Sequence, residues 1–472
     1  MLFNSYIFLI FFPIIIICYF AANKINSIAG KIVLLLASVI FYGYNNNLML
    51  VFILITSSIN YFFSYIMRKC SKKRSLMVMS VVFNIVILLY FKYLNFTIQN
   101  INLLFNTNIR IYNIILPLGI SFITFQNIAY IVSIYKNSIK GNNVLDYMVY
   151  ILYFPKILMG PLIEPKAFLE NINDIDSKKI NWDHVAQGIK MFSYGLGKKV
   201  LLADVFALGV QWGYTNINTA TSMDLILMML FYTFQIYFDF SGYSDMAIGI
   251  SRIMNIDLPL NFNSPYKALS IRDFWKRWHV SLTEFLTKYI YIPLGGSRNG
   301  NYRTYINILI VFVMSGIWHG ANWTFILWGI INGLLNIFDR LFDSRKENNL
   351  METVRWISTF ICINVLWLLF SANSVSQWLL IIKKIIKLQS TAVSNGLISV
   401  FELSILKTFS SKIRGFCMLL YIFIAFTICL VPDNNYKKIQ KISFFSMSIA
   451  ALVVAFSILN MSTETVFIYN GF

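Results

Sequence analysis

Long apolar runs recur along the whole chain, and they limit its folding more than any other feature of the sequence. Tyr6–Ala22, Leu48–Met67, Leu76–Phe91, Ile114–Tyr135, Met223–Phe238, Thr353–Phe370, Phe416–Val431 and Phe444–Leu459 are the clearest. Each approaches the roughly 20 apolar residues that carry a helix across a bilayer core. The runs are continuous rather than alternating, which argues for helices and against a β-barrel. With the shorter and Gly-interrupted runs between them, they predict an all-α polytopic membrane protein of about 11 to 13 transmembrane or partial-membrane helices. Composition agrees: 58% of the 472 residues are hydrophobic and 12% charged, too little polar surface for a soluble protein of this length.

No polar stretch is long enough for a soluble domain, and no internal repeat is evident. Residues 1–472 are therefore read as one membrane domain: N-terminal helices over 1–140, a motif-dense centre over 150–335 and C-terminal helices over 350–472. Met1–Tyr6 carries no basic residue and no small-x-small site follows the first run, so that run is a retained helix rather than a signal peptide. The net charge of +19 does not imply a nucleic-acid partner, because the basic residues are scattered among inter-helix loops. Lys24 and Lys31 fall in the first loop, Arg68, Lys69, Lys72, Lys73 and Arg74 in the third, and Lys136 and Lys140 in the fifth. The second has none, and the fourth only Lys92 and Arg110. By the positive-inside rule the N-terminus is extracytoplasmic and Arg68–Arg74 cytoplasmic. The five Cys follow no CxxC or metal-ligand spacing and are given no function. No metal site is expected.

The centre reads differently from its flanks. Gly and Pro interrupt it in Phe154–Pro161, at Pro259 and Pro265, and in Tyr291–Gly296. Broken backbone at membrane depth is tolerated where it is buried in protein or lines a cavity, so half-helices and re-entrant segments are expected here. Arg272–Tyr289 fits one amphipathic interfacial helix, with Phe274, Trp275, Trp278, Leu282, Phe285, Leu286 and Tyr289 on one arc. His279 falls at the edge of that arc, near water.

Three His are present, and Trp318-His319-Gly320 sits between two apolar runs. An imidazole there is costly to desolvate unless it lines a cavity or water path, and it suits proton transfer near neutral pH. Ser315 and Gly316 precede it on the same helical face, and Gly320 and Ala321 follow, leaving space for a substrate. The bland alternative, a structural His between packed helices, is outweighed by this setting. For His279, chemistry and plain interfacial anchoring are equally compatible with spacing. His184 reads as a capping-region surface residue behind Asn181 or Asp183. Asp239, Tyr243 and Asp245 follow the Met223–Phe238 run and need buried partners, with Arg252 and the His residues as candidates; a structural role is favoured. Gly295-Gly296-Ser297-Arg298 could form a nest for the phosphate oxygens of a donor, although a plain turn suits the same residues. These parts suit abstraction of a proton from a hydroxyl that then attacks an activated acyl group.

The stretches Phe238–Ile250, Asn261-Phe-Asn-Ser-Pro-Tyr266, Phe274-Trp-Lys-Arg-Trp-His-Val-Ser-Leu282, Tyr289–Gly296 and Gly316-Ile-Trp-His-Gly-Ala-Asn-Trp323 resemble the signatures of membrane-bound O-acyltransferases. They are most similar to the branch of the bacterial alginate O-acetylation membrane subunit, as are the two chain ends, Met1–Tyr6 and Phe467–Phe472. The resemblance implies a thinned central region crossed by a tunnel, with His319 as the general base or acyl-orienting group and His279 assisting. Trp318, Asn322, Trp275, Trp278 and Ser315 would support them along the tunnel. It implies a bacterial plasma-membrane protein with no bound cofactor, acetyl-CoA as donor, and an extracytoplasmic polysaccharide-modifying acetyltransferase as partner beside a polysaccharide synthase. A D-alanyl transferase for teichoic acids and an acyl-group channel are the rival readings. The chain departs from the family pattern at Thr287-Lys288, where Arg-Asp is frequent, at Lys156, where Gln is common, and at Glu164, where a basic residue is common.

Overall fold

The computed structural model describes residues 1–44, 46–139, 143–174, 178–342, 349–402, 415–431, 440–461 and 467–468. Lys140 and residues 469–472, used above, lie outside them. Regular structure among the described residues is helical, apart from one antiparallel bridge between Phe262 and Trp278. The N-terminal group is α1 (Tyr6–Ile25), α2 (Ser27–Gly43), α3 (Asn47–Lys69), α4 (Lys73–Leu88) and α5 (Leu94–Phe105), with a π-helical turn at Leu89–Tyr93. The centre begins with α6 (Ile120–Tyr135), α7 (Val144–Leu152), α8 (Pro165–Asn173), α9 (Trp182–Gly197), α10 (Asp204–Thr215) and α11 (Ser222–Ile253). Two short helices, α12 (Ile271–Arg277) and α13 (Val280–Leu286), lead into α14 (Gly300–His319) and α15 (Trp323–Leu341). After α16 (Asn349–Ser371) and α17 (Val375–Lys387), longer helices cover Phe416–Leu430 and Phe444–Asn460.

Among the described residues, five helical stretches are long and apolar enough to cross a membrane: Tyr6–Ile25, Asn47–Lys69, Lys73–Phe105, Ser222–Ile253 and Asn349–Ser371. Shorter apolar helices accompany them at Ser27–Gly43, Ile120–Tyr135, Phe416–Leu430 and Phe444–Asn460. The outer helices are apolar outside and polar within. Ile55, Phe62, Val82 and Val86 are exposed, while Asn60, Ser64, Ser80 and Asn84 are buried, and Asn60 Oδ1 accepts from Asn84 at 2.6 Å and from Ser80 at 2.9 Å. With lipid as solvent, side-chain hydrogen bonds hold helices that hydrophobicity alone would not. The chain is a polytopic all-α membrane protein.

The 32-residue α11 is the axis of the fold. It starts at a capping box, where Thr221 and Asp224 satisfy each other's backbone amides. Beyond Met229 it is almost wholly buried. Phe238–Met246 therefore continues the helix of the apolar run it follows, because polar side chains that meet buried partners need not end a helix. A Cβ on Gly195 of α9 would lie 2.6 Å from Gly242 O of α11, so only glycine permits this approach. There Lys198 pairs with Asp245 at 2.7 Å, and Lys199 with Asp239 at 2.7 Å and Asp204 at 2.9 Å. The acids thus find Lys, not the expected Arg252 or His; Arg252 pairs with Asp257.

The Ile114–Tyr135 run is helical only from Ile120, since Pro117 and Gly119 (φ +70°) start the helix late. Arg272–Tyr289 is not one helix. The amide of Val280 goes to Asn261 O at 3.0 Å, and the carbonyl of Arg277 accepts from Asn263 N at 2.9 Å. Capture of these groups by Asn261–Asn263 breaks the helix at His279, whose φ of +45° is left-handed. Buried non-Gly residues persist there only when their surroundings hold them, and such positions cluster at functional sites.

Candidate active site

The break at Trp278-His279 and the end of α14 bring two of the three histidines to one place. His279 is 1% exposed, so its ring faces protein, as its place at the edge of the apolar arc allows, but is removed from the water expected beside an interfacial helix. Its ring lies 4.7 Å from that of Phe240 and 6.4 Å from that of Phe122. Neither ring nitrogen has a hydrogen-bond partner among the described residues. His319, 4% exposed, closes α14 against Trp328 (5.3 Å) and Phe370 (5.1 Å). Trp318 touches both imidazoles, with ring centroids 6.3 Å from His279 and 4.9 Å from His319.

The end of α14 is held from two sides. Carbonyl groups at a helix C-terminus lack intrahelical partners, and Lys92 donates to the oxygens of Trp318 and His319, the latter at 2.9 Å. Lys92 comes from the π-helical turn at Leu89–Tyr93, the kind of irregularity that marks functional sites. On the other side Gly316 packs against α15, and a Cβ there would lie 2.3 Å from Phe325 O. Gly316→Ala is therefore expected to push α14 from α15, lowering stability by about 1–3 kcal/mol. Thermal unfolding in detergent checks this, and an unchanged melting point would contradict the close packing.

Two clefts approach this pair. The first is lined by Lys92, Leu116–Gly119, Ser121, Phe122, Leu158, Trp318 and His319. The second is lined by Phe125, Gln126, Tyr150, Leu162, Glu164, Ser281, Glu284 and Phe285 among others. Phe125 of the second stacks on Trp318 of the first, 5.3 Å apart at 15°. One pair of rings separates them. Ser281 joins the second cleft to the break, donating to Asn261 Oδ1 at 2.6 Å and accepting from Leu162 N at 3.0 Å.

Of the other sequence candidates, Trp275 donates to Asn332 at 3.0 Å and touches Trp328, while Trp278 packs on Trp367 at 4.7 Å. These stiffen the wall behind His319. Ser315 is buried one turn before it. Asn322 caps α15, accepting from Thr324 N, and donates to Asn373 O at 2.9 Å. Asp239 and Asp245 are tied to α9 and its continuation, and buried Tyr243 stacks on Phe3 at 4.8 Å. His184 follows Asn181 as expected and meets Asn255 at 2.8 Å, away from the pair.

Gly295–Arg298 lies at the far end of α14, 20 residues long and so about 30 Å from His319. The amides of Gly295, Gly296 and Arg298 are spent on Ile292, Tyr291 and Gly295 oxygens, so the segment is a plain turn and does not offer those amides to a phosphate. Ser297 and Arg298 are exposed. The departures at 288 and 164 answer one another, since Lys288 pairs with Glu164 at 2.7 Å. Lys92, Phe122, Phe125 and Gln126 were not legible as site residues. Lys92 looked like an ordinary loop cation, and the others like one apolar helix.

A polytopic helical membrane enzyme with paired, buried imidazoles is the class these features define. Residues 135–381, which hold both histidines, match the MBOAT, membrane-bound O-acyltransferase family, and the chain belongs to that family as an O-acyltransferase. The peptidoglycan O-acetyltransferase of Helicobacter pylori is 33% identical over 517 aligned positions, covering 100% of this chain and 98% of that protein. The probable alginate O-acetylase AlgI of Pseudomonas aeruginosa is 32% identical over 79% of this chain and 73% of its own length. The teichoic acid D-alanyltransferase of Bacillus subtilis is 29% identical over 52% of this chain and 64% of its own.

Proposed function

We propose that the chain O-acetylates an exported cell-envelope polysaccharide, taking acetyl from a cytoplasmic thioester, acetyl-CoA, and delivering it to the outer side of a bacterial plasma membrane. The observation that carries this reading is the seating of two buried histidines against Trp318, whose ring stands with Phe125 between two clefts. With the N-terminus outside, as the basic-residue asymmetry argues, α6 begins on the outer side. The first cleft, at the start of α6, then faces outward and the second inward.

In this reading the donor enters the second cleft and an acceptor hydroxyl the first. The hydroxyl proton passes to an imidazole nitrogen of His319 as its oxygen attacks the acetyl carbonyl carbon. The C–S bond breaks, and the thiolate leaves with the proton that the imidazolium returns. His279, whose ring nitrogens have no hydrogen-bond partner among the described residues, assists at the acyl group. The acceptor hydroxyl belongs to the polymer or to an extracytoplasmic acetyltransferase working beside the synthase. Acetyl is favoured over D-alanyl because the acetylating relatives match a larger share of the chain.

Sealed right-side-out vesicles loaded with radiolabelled acetyl-CoA test this. Alkali-labile label on polymer outside the vesicles is expected. No external label, or label from a D-alanyl thioester alone, would overturn the reading.

A further inference from the structure

Lys156 is 0% exposed, and its ammonium lies 4.1 Å from the centre of the Tyr150 ring and 5.3 Å from that of Phe168. Its one hydrogen-bond acceptor among the described side chains is Gln126 Oε1, at 2.5 Å. An ammonium has only donors to offer. It therefore fixes which end of the Gln126 amide faces it, and turns Nε2 the other way. Gln126 is 2% exposed and lines the second cleft, and its Nε2 has no acceptor among the described residues. A buried N–H donor left unmet costs about 1–3 kcal/mol, so a donor fixed in this way is suited to an acceptor brought into the cleft.

We propose that Gln126, oriented by Lys156, binds a carbonyl oxygen on the pantetheine arm of the acyl donor. This rests on the thioester reading above. The cleft walls are apolar at Phe125, Leu162 and Phe285, and the Ser281 hydroxyl proton is already given to Asn261. Of the two carboxylates at the cleft, Glu164 is neutralised by Lys288 and Glu284 is exposed to solvent. That suits a ligand of amide carbonyls on apolar spacers, which is the chemistry of pantetheine, shared by coenzyme A and acyl-carrier proteins. The cleft runs to Ser281, two residues from His279, so an arm held at Gln126 points its sulfur end toward the histidine pair. Gln126 is the binding residue, and Lys156 a positioning residue that acts through it.

The test uses the full-length protein in vesicles, with thiol release measured from acetyl-CoA, S-acetylpantetheine and ethyl thioacetate, which lacks the arm. Gln126→Leu is expected to raise KM about tenfold (about 1.4 kcal/mol) for the two arm-bearing donors, with kcat within about twofold. The rate with ethyl thioacetate should not move. Lys156→Met should repeat this pattern, and Lys156→Gln, which can still donate to Gln126, should return KM to within about threefold of wild type. The same split read with an acetylated carrier protein would support the site and assign the arm to a protein-borne source. Unchanged KM in both variants, or an equal loss with ethyl thioacetate, would overturn the inference while leaving the thioester reading intact. A wild-type protein inactive on every thioester would overturn both.

Discussion

His319→Ala is expected to lower acetyl transfer by about 100- to 10,000-fold, the range that a positioned general base contributes. The loss should be chemical, because the end of α14 is held through backbone oxygens. Lys92 bonds the carbonyls of Trp318 and His319 and not the imidazole, and Gly316 still fits against Phe325. Removing the ring leaves those contacts and opens space between Trp328 and Phe370. Acetyl ester on the exported polymer, measured with the amount of protein in the membrane, separates the two effects. Acetylation that persists at a normal protein level would remove His319 from the mechanism.

Lys199→Met is expected to have the largest effect on stability. The Lys199 and Asp239 side chains are 1% and 2% exposed, and Asp204 shares the same ammonium. Removing one partner of such a buried pair costs about 3–5 kcal/mol, because the remaining charge stays buried without compensation. Asp239 also accepts from Ile468 N, so its loss of partner reaches the C-terminal segment. The variant should melt well below wild type in detergent and accumulate poorly in membranes. Lys199→Met with Asp239→Leu should recover much of the loss, since replacing both charges with apolar groups removes the desolvation penalty. Wild-type melting of the single variant would show that the pair does not hold α11 to its neighbours.

Much of the helical layout could be read directly. Thr353–Phe370, Phe416–Val431 and Phe444–Leu459 become helices with nearly the same ends, because an apolar run without Pro or Gly has few other ways to bury its backbone in lipid. Boundaries failed where remote contacts set them. α11 continues through Phe238–Met246 because Lys198 and Lys199 neutralise its acids, and α12 stops because Asn261 and Asn263 take the backbone groups of Val280 and Arg277. Periodicity sees neither partner, since both lie outside the helix concerned.

The same division holds at the site. Sequence by itself determined that the chain is a helical membrane protein and singled out His319, because apolar runs have a single-chain solution and an imidazole among them is conspicuous. Tertiary structure alone decided that His279 is buried beside Trp318, that Lys92 caps His319, and that Phe125 and Trp318 divide two clefts. Lys92 stands 227 positions from His319 in the chain. A contact over that separation leaves no local pattern, and only packing brings such residues together.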